Sequence, residues 1–294
     1  MPESSSPVLT PAEEFLALTQ TFDRRARELN LGDTSRFYWY HTIDLGDGLI
    51  TPGLYDYRKT VSDFHFPQDM SGMTVLDVGS ATGFFAFEFA RRGADVVSVE
   101  LPSLDHLDRF PGQNTDALLW KIERMIAPSD DPNLDTFKRR YTAEELWFYL
   151  LEGPFRFCQR RLGLKVDRCF SSVYDLTAAK TGRDGFDLVF LGDILVHTLY
   201  PLKALAAAAA LSKNHLMLAQ VMPGSPKDAP AMHYVGGDDV NEDEVSWFWP
   251  NQACFTQLLR KLGFPQVREV GHHTGTLRPG GTTFDRVILH ASRL

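Results

Sequence analysis

The sequence predicts an α/β fold: a seven-stranded, mostly parallel sheet whose last strand runs antiparallel, with helices on both faces. Three observations carry that reading. Apolar runs of strand length alternate with helix-length patterns from residue 74 onward, as in a parallel sheet wound with crossover helices. The first unit, TVLDVGSATGFFAFEFARR (74–92), passes from a buried strand through a tight glycine loop straight into a helix. The next run, DVVSVE (95–100), ends in an acid, Glu100, where a strand of such a sheet reaches its ligand-binding edge.

Residues 1–10 are Ser/Pro-rich and expected to be loosely held. Pro11 suits the first helical position after Thr10, and apolar residues at 15, 16, 18, 22, 26 and 29 predict an amphipathic helix. In FYWYHTIDLGDGLITPG (37–53), aromatics and a histidine precede two glycine turns, predicting an extended segment that bends back as a hairpin. Residues 54–73 hold Tyr55, Tyr57, Arg58 and Lys59 and then predict a further helix running up to the first strand; Arg58 either meets an acidic substrate group or faces solvent. The stretch 101–165 is too long for a structureless loop, so an inserted helical subdomain is expected. It holds DALLWKIERMI (116–126), the turn APSDDPN (127–133), and YTAEELWFYLLEG (141–153) running into PFRFCQRRLGL, with Thr142 and Glu145 as a capping box.

VDRCFSSVYDL (166–176) supplies the third strand and its loop, and FDLVFLGDIL (186–195) a fourth strand apolar enough for the sheet centre. An Ala-rich helix, PLKALAAAAAL (201–211), precedes the fifth strand, HLMLAQV (215–221). A polar excursion with five acids between 238 and 244 reads as a lid or rim. Trp247 to Asn251 lead into one more helix, and QVREVGHHT with FDRVILHA forms the closing antiparallel pair, with His272 and His273 expected at an exposed strand end. The predicted division is an N-terminal helical and aromatic extension over 1–70 and a sheet domain over 71–294, carrying the insertion at about 101–165.

Composition limits the partners. The chain has 294 residues, 44% of them hydrophobic, enough for a sizeable core. No apolar run is long enough to span a bilayer, and the start lacks a basic and apolar leader, so a cytoplasmic protein is expected. With 30 basic against 38 acidic residues the net charge is −8, which argues against a nucleic-acid partner, since phosphate contacts dominate such binding. Lys138 to Arg140 and Arg156 to Lys165 are local basic clusters, more often a solvated helix face. Cys158, Cys169 and Cys254 are scattered, and neither a disulfide framework nor a metal site is implied.

The glycine loop and Glu100 together form a nucleotide-type pocket. A dinucleotide fold wants glycine at i, i+2 and i+5, whereas Gly79 and Gly83 are accompanied by Ala81 at i+2 and Phe84 at i+5. A nicotinamide oxidoreductase is therefore disfavoured. Glu100 can accept both hydroxyls of a ribose whichever nucleoside is bound. His197, just beyond the fourth strand, falls at the same edge and is read either as a base for the acceptor or as a structural strut.

DVGSATG resembles the first motif of class I S-adenosylmethionine-dependent methyltransferases, acid-x-Gly-x-Gly-x-Gly, with Ala81 at the middle glycine. The resemblance implies a Rossmann-like core. It places the methionine end of the cofactor over Gly79, Ser80, Ala81, Thr82 and Gly83, with Asp77 organising the loop and Glu100 on the ribose. It implies Asp175 on the adenine amino group, Val173 or Tyr174 beside the ring, and Gly192 at the end of the fourth strand. Asp175 reads equally well as a helix cap.

WYHTIDLGDG followed by TPG is similar to the segment before that motif in the tRNA wobble-uridine methyltransferase-like group, which includes carboxymethyltransferases; the likeness covers roughly 37–290. It implies Tyr38, Trp39, His41, Trp249, Asn251 and Arg286 as acceptor contacts. Two departures favour plain methyl transfer: no lysine stands between Tyr38 and Pro52, and Val196 replaces the tyrosine that precedes the histidine in carboxymethylating members. Arg286 does match an arginine of their carboxylate clamp.

The expected activity is methyl transfer from S-adenosylmethionine, leaving S-adenosylhomocysteine, to an O or N atom of a small organic metabolite. Such an in-line displacement needs alignment rather than an acid/base dyad or a metal. A tRNA wobble-base modifier and a non-catalytic S-adenosylmethionine-binding protein are the rival readings, and a homo-oligomer is left open.

Overall fold

A computed structural model describes residues 9–126, 140–224, 229–241 and 245–294. The turn at 127–133, Lys138, and three of the five acids of the expected rim (242–244) lie outside the described residues. Helix α1 (Pro11–Glu28) starts at Thr10, whose side chain and that of Glu13 satisfy each other's backbone amides in a capping box. It buries Phe22 and Ala26, and the Phe22 ring meets Trp39 edge-on at 5.0 Å. The hairpin expected within 37–53 is present: Asp44 bridges Ile50, and Gly46, Asp47 and Gly48 take the positive φ angles of the turn. The helix expected between Lys59 and the first strand is absent apart from one 3₁₀ turn, Val61–Phe64. The residues pulled into the core here are Phe64, Phe66 and Met70, with Pro67 between them, a spacing no helix face satisfies.

Strand β1 (Thr74–Val78) leads through the glycine loop to α2 (Phe84–Arg91), and β2 (Asp95–Glu100) follows. The insertion contains α3 (Thr115–Ile126) and α4 (Ala143–Trp147), the latter capped by the predicted Thr142/Glu145 box and running through a π-turn (148–152) into α5 (Gly153–Leu162). Then come β3 (Asp167–Phe170), α6 (Ala178–Thr181), β4 (Phe186–Gly192), α7 (Pro201–Ala210) and β5 (Ser212–Gln220). A small antiparallel ribbon, β6 (Met232–Tyr234) with β7 (Phe248–Pro250), had no counterpart in the sequence reading. Helix α8 (Gln252–Lys261) precedes β8 (Gln266–Thr276) and β9 (Thr283–Ser292).

The main sheet has seven strands in the order β3-β2-β1-β4-β5-β9-β8, parallel except that β9 runs antiparallel to both neighbours, as the sequence predicts. Side chains alternate faces along each strand. Leu76, Val78, Val189 and Leu191 pack toward α7 and α8, whereas Val75, Leu188 and Phe190 pack toward α2 and the aromatic segment 37–66. Asp77 is on this second face, in register with Phe190. The insertion builds a third apolar cluster from Leu104, Leu118, Leu119, Ile122, Ile126 and Leu146, against which Tyr38 and Val245 lean. Cys158 and Cys169 are buried free thiols and Cys254 is half-buried.

Candidate active site

The sheet order reverses between β1 and β4, which opens a crevice at their carboxyl ends. Gly79 (φ 76°) turns the chain there, and a Cβ on it would lie 2.6 Å from Ile194 Cδ1. Gly83 (φ 93°) packs equally closely, with a Cβ 2.7 Å from the Phe155 and Phe87 rings. Ala81 sits between them at φ 47°, a left-handed conformation that costs an L-residue about 1–2 kcal/mol. The loop amides are already engaged. Gly79 and Ser80 donate to Val99 O at 3.0 and 3.2 Å, Gly83 donates to Ser80 O at 2.8 Å, and Ala81 donates to Glu100 Oε2 at 2.9 Å.

Glu100 is clamped from both sides, since its Oε1 also accepts the Leu101 amide at 2.9 Å. Each carboxylate oxygen keeps a second lone pair for a ligand hydroxyl. Below the loop, Asp77 is 2% exposed, and its Oδ2 has no hydrogen-bond partner among the described residues. Burial pushes its carboxyl up to about 7, with Arg168 pulling the other way and Glu100 adding to the rise. Arg168 braces the underside. Its guanidinium donates to Ser80 Oγ (2.5 Å) and Ser98 Oγ (2.7 Å), pairs with Glu152 at 3.2 Å, and stacks 3.8 Å over the Phe155 ring.

Two adjoining hollows share the walls Gly79, Glu100, Leu101, Leu107, Ile194 and His197. The smaller, about 50 Å³, is bounded by Val78, Val99, Ser172, Val173, Tyr174 and Asp108. The larger, about 320 Å³, has apolar walls from the insertion (Leu104, Leu118, Ile122, Met125, Leu150) and aromatic ones from Tyr38, Tyr40, Tyr57, Phe64 and Phe85. That volume suits a small-molecule site.

Of the residues singled out in the sequence, Asp77, Gly79, Ser80, Ala81, Glu100, Gly192, His197, Tyr38, His41 and Arg286 border the large hollow, and Val173 and Tyr174 the small one. The others do not. Thr82 is buried with its hydroxyl turned to His41, 3.2 Å from both the His41 amide and Nδ1, and Gly83 is covered by Phe155 and Phe87. Asp175 points outward, its side chain 61% exposed beside Lys180, because the short 3₁₀ turn Val173–Asp175 aims Val173 inward and the acid out. The acid at this hollow is instead Asp108, which accepts the Tyr174 hydroxyl and the Leu199 amide.

Trp39 is a core residue packed edge-on against Phe22, Phe37 and Phe157. Trp249 is on β7 opposite His233, and Asn251 caps α8, its Oδ1 accepting the Cys254 amide at 2.9 Å and its Nδ2 donating to Ala229 O at 2.7 Å. Arg58 is taken by Asp56. His273 is not the exposed strand-end residue expected; it is buried at the large hollow, while its neighbour His272 faces Asp285 and Glu269.

At the reacting edge His197 Nδ1 lies 2.6 Å from Val245 O. A carbonyl can only accept, so Nδ1 carries a proton, and in the neutral ring the lone pair is on Nε2. Arg286 pairs with Asp193, a residue held at φ 50° immediately after Gly192. Burial lowers the Arg286 pKa, but Asp193 raises it further, so the guanidinium stays charged and paired. His41 is kept neutral by burial, pushed down to about 3. Sequence reasoning missed Tyr40, Tyr57, Asp193, His273 and Asp108; only the position of Asp193 after a central strand carried a local signal. No group of three or more His, Cys, Asp or Glu able to hold a metal occurs among the described residues.

The sheet order, the glycine loop and the acid after β2 define a class I S-adenosylmethionine-dependent methyltransferase domain. A family described as "Methyltransferase domain" matches residues 54–269, most of the chain, and the protein belongs to that family. Magnesium-protoporphyrin O-methyltransferase of Rhodobacter capsulatus is 34% identical over 97 residues, 32% of this chain. The chain spans 42% of the length of that curated relative. Among solved structures, the N-terminal domain of EvdMO1 with S-adenosylhomocysteine and D-fucose has 15% identity and a TM-score of 0.51, covering 93% of this chain and 96% of that one. Magnesium protoporphyrin IX methyltransferase from Synechocystis PCC 6803 with bound S-adenosylmethionine has 15% identity and a TM-score of 0.45, covering 80% and 77%. No described helix is long and apolar enough to cross a membrane.

Proposed function

We propose that this protein transfers a methyl group from S-adenosylmethionine to an O or N atom of a small organic acceptor held in the larger hollow. The observation that carries the reading is Asp77, a buried carboxylate oxygen with no partner, set under a loop whose amides at 79, 80, 81 and 83 are spent. Such a floor repels a pyrophosphate, which needs free amides, and suits a donor that carries positive charge. Glu100 would hold the ribose hydroxyls through its unused lone pairs, and Val173, Val99 and Tyr174 would flank the adenine. The donor supplies an activated methyl carbon, so the protein's task is alignment, worth up to roughly 7–11 kcal/mol in favourable intramolecular cases. The acceptor's walls would come from the aromatic segment before residue 70, from the insertion and from the sheet beside Arg286 and His273, and the donor's from the glycine loop and the ends of β2 and β3. His197 Nε2 accepts the acceptor's proton, because the Val245 carbonyl fixes the tautomer.

Plain methyl transfer is preferred over carboxymethyl transfer because Arg286, the one clamp residue retained, is engaged by Asp193 and would have to give up that pair to hold a second carboxylate. The likeness of residues 37–53 to wobble-uridine modifiers supports tRNA as the second reading; the acidic balance ranks it below. The magnesium-protoporphyrin relative supports a flat small-molecule acceptor. Incubation with methyl-labelled S-adenosylmethionine against a cell extract split into its small-molecule and bulk tRNA fractions separates the readings. Label is expected in the small-molecule fraction; label only in tRNA promotes the second reading, and none in either leaves a binding protein.

A further inference from the structure

The large hollow contains a polar group that the donor does not use. His273, on β8 opposite Arg286 of β9, is 1% exposed, borders the hollow, and has no hydrogen-bond partner for either ring nitrogen among the described residues. Its neighbours are the rings of Tyr57, Phe64 and Phe284, with centroids 4.5, 5.4 and 5.3 Å away, which pack the imidazole without satisfying it. A buried polar group left unpaired is costly, and one that borders a hollow can be satisfied by what fills it.

We propose that the sheet side of this hollow is an acceptor subsite for an uncharged, flat aromatic ring bearing a hydroxyl, with His273 as the hydrogen-bonding contact. The inference rests on the methyltransferase reading and specifies its substrate class. A neutral imidazole offers one N–H and one lone pair, and a hydroxyl can meet either. Burial keeps the ring neutral, pushed down to about 4. The charged pair beside it cancels internally, since Asp193 holds Arg286. With Asp77 and Glu100 given over to the donor and Lys121 on α3 of the insertion, a carboxylate or ammonium seated against His273 would meet no counter-ion there, a large desolvation penalty. Tyr57, Phe64 and Phe85 present ring faces and edges to the same space, suited to a flat partner.

The test uses the full chain saturated with S-adenosylhomocysteine and a matched series on one ring system: 2-naphthol, naphthalene, 2-naphthoate and 2-naphthylmethylamine, titrated by calorimetry. 2-Naphthol is expected to bind about tenfold or more tighter than the other three, the gain of one good hydrogen bond in a buried site. His273→Leu should bring 2-naphthol down to the level of naphthalene, and His273→Asn, which keeps a donor and an acceptor, should restore much of the difference, with cofactor affinity unchanged in both. The wild-type series alone decides the charge preference, so the test survives a variant that does not fold. 2-Naphthoate or the amine binding as tightly as 2-naphthol, equal 2-naphthol affinity in wild type and His273→Leu, or no binding of any probe at millimolar concentration overturns the subsite. Failure of S-adenosylhomocysteine itself to bind takes down the donor reading as well, so the two failures are distinguishable.

Discussion

Asp77→Asn should make the free protein more stable and a poorer cofactor binder. The folded state keeps a proton on Asp77 up to about pH 7, whereas an ordinary aspartate loses it at 3.8. Between those values the folded chain binds more protons than the unfolded one, so this group's contribution to stability falls as the pH rises through the window. At about 1.4 kcal/mol per pH unit, the gap from 3.8 to about 7 amounts to roughly 4 kcal/mol of destabilisation above neutrality. Asparagine has the same shape and cannot ionise. The variant should therefore gain up to about 4 kcal/mol over wild type at pH 8 but only about 1.5 kcal/mol at pH 5. His41 and His273, pushed down to about 3 and about 4 by burial, act in the opposite sense, losing stability as the pH falls below the ordinary histidine range, but they do so equally in both proteins and cancel. Urea unfolding of both proteins at the two pH values gives the difference directly. At pH 8, where the wild-type carboxyl is ionised, S-adenosylhomocysteine should bind the variant about 1.5–3 kcal/mol more weakly, as for a lost bond to a charged group. A variant no more stable than wild type at pH 8, or a stability difference that does not move with pH, refutes the buried-carboxylate argument.

Glu100→Gln keeps the shape but not the charge, and should weaken S-adenosylhomocysteine binding by about 1–3 kcal/mol in calorimetry; an unchanged affinity means the ribose lies elsewhere. Ala81→Gly relieves a left-handed alanine and should raise stability by up to about 1 kcal/mol after the added freedom of the unfolded glycine is subtracted, seen as a higher Tm. His197→Ala should lower turnover about 10²-fold or more on whichever acceptor the labelling experiment identifies while sparing cofactor affinity, and near-normal turnover would make it a strut for Val245.

The form of the loop proposed to hold the donor was legible because its information is local. A strand, a loop with glycines at 79 and 83, a helix and an acid at the end of the next strand occupy 27 consecutive residues, 74 to 100, and each adopts its form for reasons internal to that stretch. The acceptor half is assembled from distant pieces. The Tyr57 and His273 rings meet with centroids 4.5 Å apart although more than two hundred positions separate them. Strand periodicity says that His272 and His273 face opposite sides but not which side is the hollow, and the answer depends on how β9 inserts beside β5. Asp108, not Asp175, borders the small hollow for the same reason: the insertion folds back over the sheet edge, which no spacing within 166–176 could announce. Trp39 misled because an aromatic beside a glycine turn reads alike whether it lines a pocket or fills a core.

The two halves are not independent, and Arg168 shows why. Its guanidinium bonds to Ser80 in the glycine loop and to Glu152 in the π-turn, and Leu150 and Leu151, two residues and one residue before that glutamate, wall the large hollow. The same buried ion pair thus fixes where the loop sits beneath the donor and where the insertion sits beside the acceptor. In-line transfer depends on the relative position of those two surfaces to within about an ångström. A long insertion between β2 and β3 is in this protein a wall whose foot is bolted to the glycine loop, and on the proposed reading the acceptor is thereby held against the frame that holds the donor.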